Sequence, residues 1–452
     1  TDQEIFTKEV QDILNIYNKK HIEIDYQLLS QEIEYGNSFH AIEKLLNSKQ
    51  RLDMNSIKNK LYNICNSLTM KFETAVSELD INEIAPQLIS NAPYHIAVPG
   101  YYKTTSSFPF ILSIIKIVKI IKSAKNPRKI QIVGSDNKIY KYLLKGKEDL
   151  RVDQRVNQWF TLANSFLKEN KYGKEKDLSI ENYPIIPLSH QAGMMAWAEG
   201  GDTFYKLISW YHHISYPNIK EIEINVYREF GFENPRKNRA NKIQRLEIYR
   251  KLRKVYPDNA LREVIWVKSP SSAIWFKQKT NFARSLGLMS IVGYTIGLGD
   301  RHPQNILYMK KTGKAVHIDF GDCFEKAMNR PNYPEKVPFR LTPMMVKALG
   351  VSGVEGIFTI TAQYVMSLLR RNKSSLLSFL DIFLREDKSS EETNAQFERV
   401  RDKLNGKEFE GLDEQTPEQQ VGLLIKEASW DYNLSQMYYG WEIGRASCRE
   451  RV

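Results

Sequence analysis

Apolar residues recur at helical spacing through the first part of the chain. Val10, Ile13, Leu14 and Tyr17 fall at i, i+3, i+4 and i+7, and Ile57, Leu61, Ile64 and Leu68 form a second stripe. A third helix fits between Asp25 and Leu46, interrupted at Tyr35-Gly36. The spacing predicts a bundle of three amphipathic helices over residues 1–78, with the helical region closed by Ala97-Val98-Pro99-Gly100. From Phe110 to Leu144 the pattern changes to short β-branched runs divided by turn residues: Ile114–Ile121, Lys129–Val133 and Ile139–Leu144. These predict antiparallel hairpins. Leu150–Phe166 then reads as a helix, Ile185–Leu188 as a strand and Thr203–Ser215 as the start of another helix.

Beyond that point the pattern is helical. Pro217–Asp258 reads as a charged helical insert, and Phe282–Ile296 as a buried apolar helix in which Gly287 and Gly293 admit a close neighbour. Val346–Leu384 supplies further helices, Lys388–Asn394 a mobile polar link, and Gln396–Leu404 with Pro417–Trp430 a small helical tail. No internal repeat is present. The expected fold is α+β and bilobal. A twisted sheet carrying one important helix makes a small lobe over 93–200, and helices make a large lobe over 201–390.

Composition narrows the class. At 452 residues the chain is long enough for two to four domains, and 42% apolar with 26% charged residues is ordinary for a soluble globular protein. Cys65, Cys323 and Cys448 have neither pairing nor metal spacing, which points to a reducing compartment rather than a disulfide scaffold. The net charge of +12 suits an anionic ligand, a membrane surface or nucleic acid. Lys and Asn are spread throughout, however, so most of that charge reads as solvated surface and no nucleic-acid partner is expected. The best apolar run, Phe108–Ile121, is short for a membrane span and is broken by Lys116 and Lys119. The chain starts Thr-Asp-Gln, without Met or a signal-like apolar segment, and is expected to be a fragment.

The chemistry concentrates between Gly293 and Phe324. Asp300 is followed five residues later by Asn305, and fourteen residues after that by Asp319-Phe320-Gly321. Phosphoryl transfer from ATP needs a carboxylate to orient the attacking hydroxyl, and an Asn and a second Asp to hold Mg²⁺ against the phosphates. Both blocks at this spacing are far more specific than an isolated Asp-Phe-Gly. Ordinary protein kinases place a His two residues before the Asp, whereas here His302 follows Asp300.

Upstream, Lys145 closes a strand, and the helix after it holds Glu148, Asp149 and Asp153. An acid can there meet the ammonium and aim it at the α- and β-phosphates; alone, Lys145 would read equally as a solvated charge. No Gly-x-Gly-x-x-Gly precedes it. The polar turn Lys122-Ser123-Ala124-Lys125-Asn126-Pro127 offers backbone N–H groups and the Ser123 hydroxyl instead, a weak signal. Trp197 follows the Met194-Met195 pair and would either stack on an adenine or serve as plain core.

The run Gly297-Leu-Gly-Asp-Arg-His-Pro-Gln-Asn305 followed by His317-Ile-Asp-Phe-Gly-Asp322 resembles the phosphatidylinositol-3-kinase-related protein kinases. Within them, Val267-Lys-Ser-Pro-Ser-Ser272, Ala97-Val-Pro-Gly100, Lys145-Gly-Lys-Glu-Asp-Leu-Arg151 and Pro334-Glu-Lys-Val-Pro-Phe-Arg-Leu-Thr342 resemble the target-of-rapamycin branch. The likeness runs from about Ile5 to Trp441 and is dense over 94–370.

The resemblance implies a Ser/Thr protein kinase that uses ATP and Mg²⁺, with Mn²⁺ as an alternative ion. By position, Asp300 would orient the substrate hydroxyl, His302 would stabilise transferring phosphate charge, and Asn305 and Asp319 would hold the metal. Lys145 with Glu148 and Asp153 would set the phosphates, with Ser123 in the phosphate loop. Leu143, Tyr183, Trp197, Ala198, Thr203, Leu307 and Ile318 would line the adenine pocket. The insert at 217–258 resembles the region where this family docks a small WD-repeat β-propeller subunit. Residues 396–441 resemble the short C-terminal FATC domain that braces the activation loop, and scaffold subunits of a larger signalling complex are implied.

Two departures qualify the likeness. Residues 1–92 match the family's rapamycin-binding bundle only from its second helix onward. Lys58 stands near the place of the tryptophan on which that drug surface relies, and no tryptophan precedes Trp159. The rapamycin complex is therefore not an expected partner. Residues 442–452 depart from the family, and Glu442–Val452 back-translates into a common sequencing-adapter read, so it is taken as a scar.

A lipid kinase on the same fold would want clustered basic residues in the activation segment, Asp319–Thr342, to read several phosphates. Lys326, Arg330 and Lys336 are instead scattered and offset by Glu325 and Glu335, which favours protein substrates. An inactive scaffold is expected to lack one of Lys145, Asp300, Asn305 or Asp319; all are present. The expected location is cytoplasmic, with peripheral attachment to endomembranes open.

Overall fold

A computed structural model describes residues 77–437, apart from 105–106, 124, 233–239, 331–333, 386–389 and 410–412, together with helical positions 58, 59, 61 and 62. The expected N-terminal bundle and the adapter-like tail 442–452 lie outside the described residues, apart from those four positions.

The sheet of the small lobe starts earlier than its sequence pattern indicates. β1 (Glu78–Asp80) pairs antiparallel with β4 (Ile117–Ile120), and β2 (Tyr94–Ala97) pairs with β3 (Phe110–Ile114). The stretch before Ala97 is thus partly extended, and the sheet crosses the boundary expected at residue 93. β1 and β2 are three and four residues long, too short to show a period of two. The single run Ile114–Ile121 is divided at Ile115-Lys116. β3 and β4 both pair with β5 (Arg128–Gly134), and the Ile115 N–H donates to the Gln131 carbonyl across the bend at 2.9 Å.

β6 (Ile139–Gly146) follows, then β7 (Ile185–Ser189) and β8 (Ala192–Ala196). The order β1-β4-β5-β6-β8-β7 sets β8 directly beside β6. β8, Ala-Gly-Met-Met-Ala, carries no β-branched signal and was not expected. Gly193 belongs in it because a side chain there would meet Leu150 at 2.7 Å and the Ile186 carbonyl at 3.0 Å. Under the sheet lies helix α1 (Arg151–Glu169), which buries Val156, Trp159, Phe160, Ala163 and Leu167 on one face.

The large lobe is helical around a three-stranded sheet, β11 (Ala315–His317), β10 (Ile306–Met309) and β9 (Gly201–Thr203). The Thr203 hydroxyl caps α2 (Phe204–Ser215) by accepting the Lys206 N–H at 3.1 Å. The insert is a pair of helices, α3 (Ile219–Glu229) and α4 (Lys242–Val255), with Val226, Tyr227, Ala240, Ile248 and Leu252 between them. α5 (Ala260–Val267) leads to α6 (Ser272–Thr295), which starts well before Phe282 and is capped by Ser271. At Gly287 an added Cβ would stand 2.8 Å from the Phe358 carbonyl, so α6 and α8 (Ile357–Arg371) meet there through bare backbone. Gly293 is different: a Cβ would make ordinary contact with Leu298 at 3.5 Å, and close approach does not explain it.

α7 (Pro343–Ala348) precedes α8, and α9 (Lys373–Arg385) follows it. α10 (Ser390–Asn405) begins inside the segment expected to be a polar link. Glu391 and Glu392 fall in its first turn, where the helix dipole favours acids, so a polar composition there stabilises a helix. α11 (Pro417–Ser429) and α12 (Asp431–Ser435) complete the described chain.

Candidate active site

Lys145 is the last side chain on β6 to point into the cleft between the lobes, and it is buried. Its ammonium lies 3.2 Å from Glu148 and 3.9 Å from Asp319. Burial disfavours its charge, but Asp319, Glu148 and Asp153 outweigh that and hold its pKa above the ordinary lysine value. Glu148 also receives Lys125 at 3.0 Å, so one carboxylate ties Lys145 to the β4–β5 turn that carries Ser123. In that turn the Ser123 N–H donates to Asn126 Oδ1 at 3.2 Å, and Asn126 takes the left-handed conformation, φ 43°.

Asp153 sits in the first turn of α1 and is almost fully buried. Its Oδ1 accepts the backbone N–H of Phe320 at 2.7 Å, and burial pushes its carboxyl up to about 6 against that hydrogen bond. Phe320 fills the space beneath α1, edge-on to Phe160 with centroids 5.1 Å apart and stacked on Tyr183 at 6.0 Å. The Asp319 side chain is consequently turned toward Lys145.

The loop before β10 holds the other half of the site. Asp300 and Asp319 both adopt left-handed backbone, φ 59° and 62°, at a cost of about 1–3 kcal/mol each for a non-glycine residue. Buried Arg301 braces both turns. Its guanidinium donates to the Gly299 carbonyl at 2.7 Å, to Ile318 at 3.0 Å and to the Asp319 carbonyl. The Asn305 amide nitrogen donates to the Asp300 carbonyl at 3.0 Å and to Asp300 Oδ2 at 3.3 Å. Its amide oxygen is thereby left as an oxygen donor to a cation. His302 Nδ1 accepts the Gln304 N–H at 3.2 Å, which assigns the neutral ring's proton to Nε2, 3.8 Å from Asp300 Oδ2. Arg330 from the activation segment reaches Asp300 Oδ1 at 3.5 Å and also pairs with Asp322.

The donors fit a hard cation. Asn305 and Asp319 offer an amide oxygen and a carboxylate, the ligand types Mg²⁺ prefers. Among the described residues no group of three or more His, Cys, Asp or Glu is arranged to hold a metal ion by itself. Such a pair suits an ion that takes its remaining ligands from phosphates and water.

The expected adenine-site residues come together in part. Tyr183, Trp197 and Ala198 line one opening of about 350 Å³ along the segment joining the lobes. Leu143 pairs with Met195 across β6 and β8, Thr203 pairs with Leu307 across β9 and β10, and Ile318 follows β11. Trp197 is half exposed rather than core, and the Lys129 ammonium stands 4.4 Å from its ring centroid. Arg301 was not singled out by residue pattern, and Arg330 and Glu335 were read only as scattered charges of the activation segment, yet all three touch the site. Arg301 lies inside the motif itself, which was the available signal.

The phosphatidylinositol 3- and 4-kinase family matches residues 139–388, more than half of the chain. The chain belongs to that family. A FATC domain matches residues 414–442, beginning later than the boundary expected at 396. Among relatives, the target of rapamycin homolog of Caenorhabditis elegans is 35% identical over 90% of this chain and 16% of its own length. The serine/threonine-protein kinase TOR of Oryza sativa subsp. japonica is 41% identical over 69% of this chain and 12% of its own. The chain therefore spans less than a fifth of either relative. The solved FAT and kinase domain of CtTel1 superposes with a TM-score of 0.69 at 26% identity, covering 82% of this chain and 27% of that one. The phosphatidylinositol-kinase fold thus accounts for both lobes described here.

The FATC segment is docked rather than pendant. α12 packs on the insert and the activation segment through Tyr249, Val337, Leu434 and Met437. Arg253 of α4 pairs with Asp431 at 2.6 Å, and Gln436 donates to the Lys242 carbonyl at 3.0 Å. From the other side, Arg399 and buried Lys403 of α10 hold Glu325 at 2.9 and 2.7 Å, and Lys403 also donates to the Tyr294 carbonyl at 2.9 Å.

Proposed function

We propose that this chain catalyses transfer of the ATP γ-phosphate to serine or threonine of protein substrates, as the catalytic part of a target-of-rapamycin-type growth and nutrient signalling kinase. The observation that carries the reading is the closed set Lys145–Glu148, Asp153–Phe320 and Asp300–Asn305 around Asp319. The relatives' names supply the protein acceptor.

In this reading Lys145 holds the α- and β-phosphates, kept charged by its three carboxylates. The Ser123 turn covers them, and the adenine lies against Trp197, Tyr183, Ala198, Leu143, Thr203, Leu307 and Ile318. Asn305 and Asp319 hold Mg²⁺, which offsets phosphate charge when bound. Asp300 accepts the hydrogen bond of the acceptor hydroxyl and fixes its direction of attack. His302, with its proton on Nε2, donates toward charge developing on the transferring group.

Protein is preferred over lipid because the basic residues of the activation segment are scattered and Arg330 is engaged internally, with Asp322 and Asp300. The paired helices of the insert, 217–258, are the proposed seat of a small WD-repeat β-propeller subunit, with scaffold subunits elsewhere. No described helix is long and apolar enough to cross a membrane. The proposed location is cytoplasmic, with peripheral contact to endomembranes.

The test is Mg²⁺-dependent transfer from ATP to protein, compared with Asp319→Ala and with a phosphoinositide acceptor. Transfer to protein that the substitution abolishes supports the reading. Transfer to lipid alone overturns it.

A further inference from the structure

The Asp300 backbone is held from both sides. Its carbonyl accepts the Asn305 amide at 3.0 Å, and its N–H donates to Glu335 Oε1 at 2.9 Å, across thirty-five residues. Glu335 is buried, and its own N–H is fastened to the Ala327 carbonyl at 3.0 Å. Gly299 admits this contact, since a Cβ there would stand 2.3 Å from Ala327 Cβ and 3.4 Å from Glu335 Oε2.

A buried carboxylate facing another carboxylate is unfavourable. Burial and the Asp300 charge push the Glu335 carboxyl up to about 7, with Arg330 and Arg301 working the other way. A residue kept there against both terms does something a neutral apolar side chain would not. It fixes the peptide before Asp300 and so holds the aspartate in a left-handed turn that carries a backbone cost. Loss of that hydrogen bond would let the carboxylate swing by far more than phosphoryl transfer tolerates.

We infer that Glu335 is a positioning residue for phosphoryl transfer, setting the direction of Asp300 through the Asp300 N–H. The inference rests on the kinase reading above. It ties the end of the activation segment to the catalytic loop, so displacement of Glu335 disarms the site without touching ATP.

The experiment compares Glu335→Ala, Glu335→Asp and Glu335→Gln in steady-state transfer to protein and in amide exchange over residues 298–303. Glu335→Ala is expected to lower kcat by about tenfold to a hundredfold, the effect of one buried hydrogen bond, with KM for ATP within about twofold. Glu335→Asp draws the acceptor back by one methylene and follows Glu335→Ala. Glu335→Gln keeps an acceptor oxygen and recovers most of kcat. Exchange at the Asp300 amide rises in Ala and Asp and stays slow in Gln.

A Gln variant as impaired as Ala, a KM effect with kcat unchanged, or amide exchange indifferent to all three overturns the inference. If Ala does not fold, the Asp and Gln pair decides. If the wild-type chain transfers no phosphate, the kinase reading fails, while the exchange arm still decides whether Glu335 holds the turn.

Discussion

The N–H of Phe320 donates to Asp153 Oδ1 at 2.7 Å, joining the turn that carries Asp319 to the helix of the small lobe across 167 residues. This bond fixes which way Asp319 faces. Asp153→Ala leaves a buried N–H unpaired, at a cost of about 1–3 kcal/mol. Thermal unfolding should move several degrees lower, and MgATP affinity should fall with it. Asp153→Asn, which keeps an acceptor oxygen, should retain most of the melting temperature.

Lys145 neutralises a cluster of acids besides its proposed contact with phosphate. Lys145→Ala is expected to abolish measurable transfer. Because Asp319 then loses its lysine and Glu148 keeps only the more exposed Lys125, it should also lower stability without nucleotide. Calorimetric titration with ATP and a melt of the free chain separate the two effects.

Lys403 is 3% exposed and pairs with Glu325 at 2.7 Å beneath the activation segment. Burial lowers its pKa and Glu325 opposes that. Lys403→Met leaves Glu325 with the more exposed Arg399 alone, and breaking a buried pair in this way costs about 3–5 kcal/mol. Limited proteolysis should then cut the activation segment faster than in the wild-type chain.

Burial pushes the Glu408 carboxyl from 4.5 up to about 7. Between those values the unfolded chain has released a proton that the folded chain still holds, so stability falls as pH rises through the window and levels off above it. The slope is at most about 1.4 kcal/mol per pH unit for one group. Glu335 and Asp153, raised to about 7 and about 6, act in the same direction. Glu408→Gln should therefore flatten the decline between pH 5 and 7 without abolishing it, as read by melting temperature against pH.

Gly287 faces the Phe358 carbonyl where α6 crosses α8. Gly287→Ala should destabilise by about 1–3 kcal/mol through backbone displacement. Gly293→Ala, with room for a methyl, should be close to neutral.

The catalytic loop was legible because its residues are contiguous. Asp300, His302, Asn305 and Asp319 lie within twenty residues, and their spacing carries the chemistry before any folding is considered. Lys145 and α1 were legible because apolar periodicity is a local property: a strand closes and a helix with a buried stripe follows. Gly287 was readable for the same reason, as a glycine inside a strongly apolar helix. β1, β2 and β8 were not, since strands of three to five residues without β-branched runs gain their identity from the neighbour they pair with. The start of α10 was misread because polarity was taken for a link where acids cap a helix.

The sequence by itself determined the family, the candidate site residues and the longer helices and strands, all of which depend on spacing over a few turns of chain. Only the tertiary structure decided that Asp153 grips Phe320, that Glu335 grips Asp300 and that Lys403 grips Glu325. Those pairs are between 35 and 167 residues apart. A hydrogen bond of under 3 Å between distant residues leaves no periodic trace along the chain, because its geometry exists only once the elements that carry the two residues have packed.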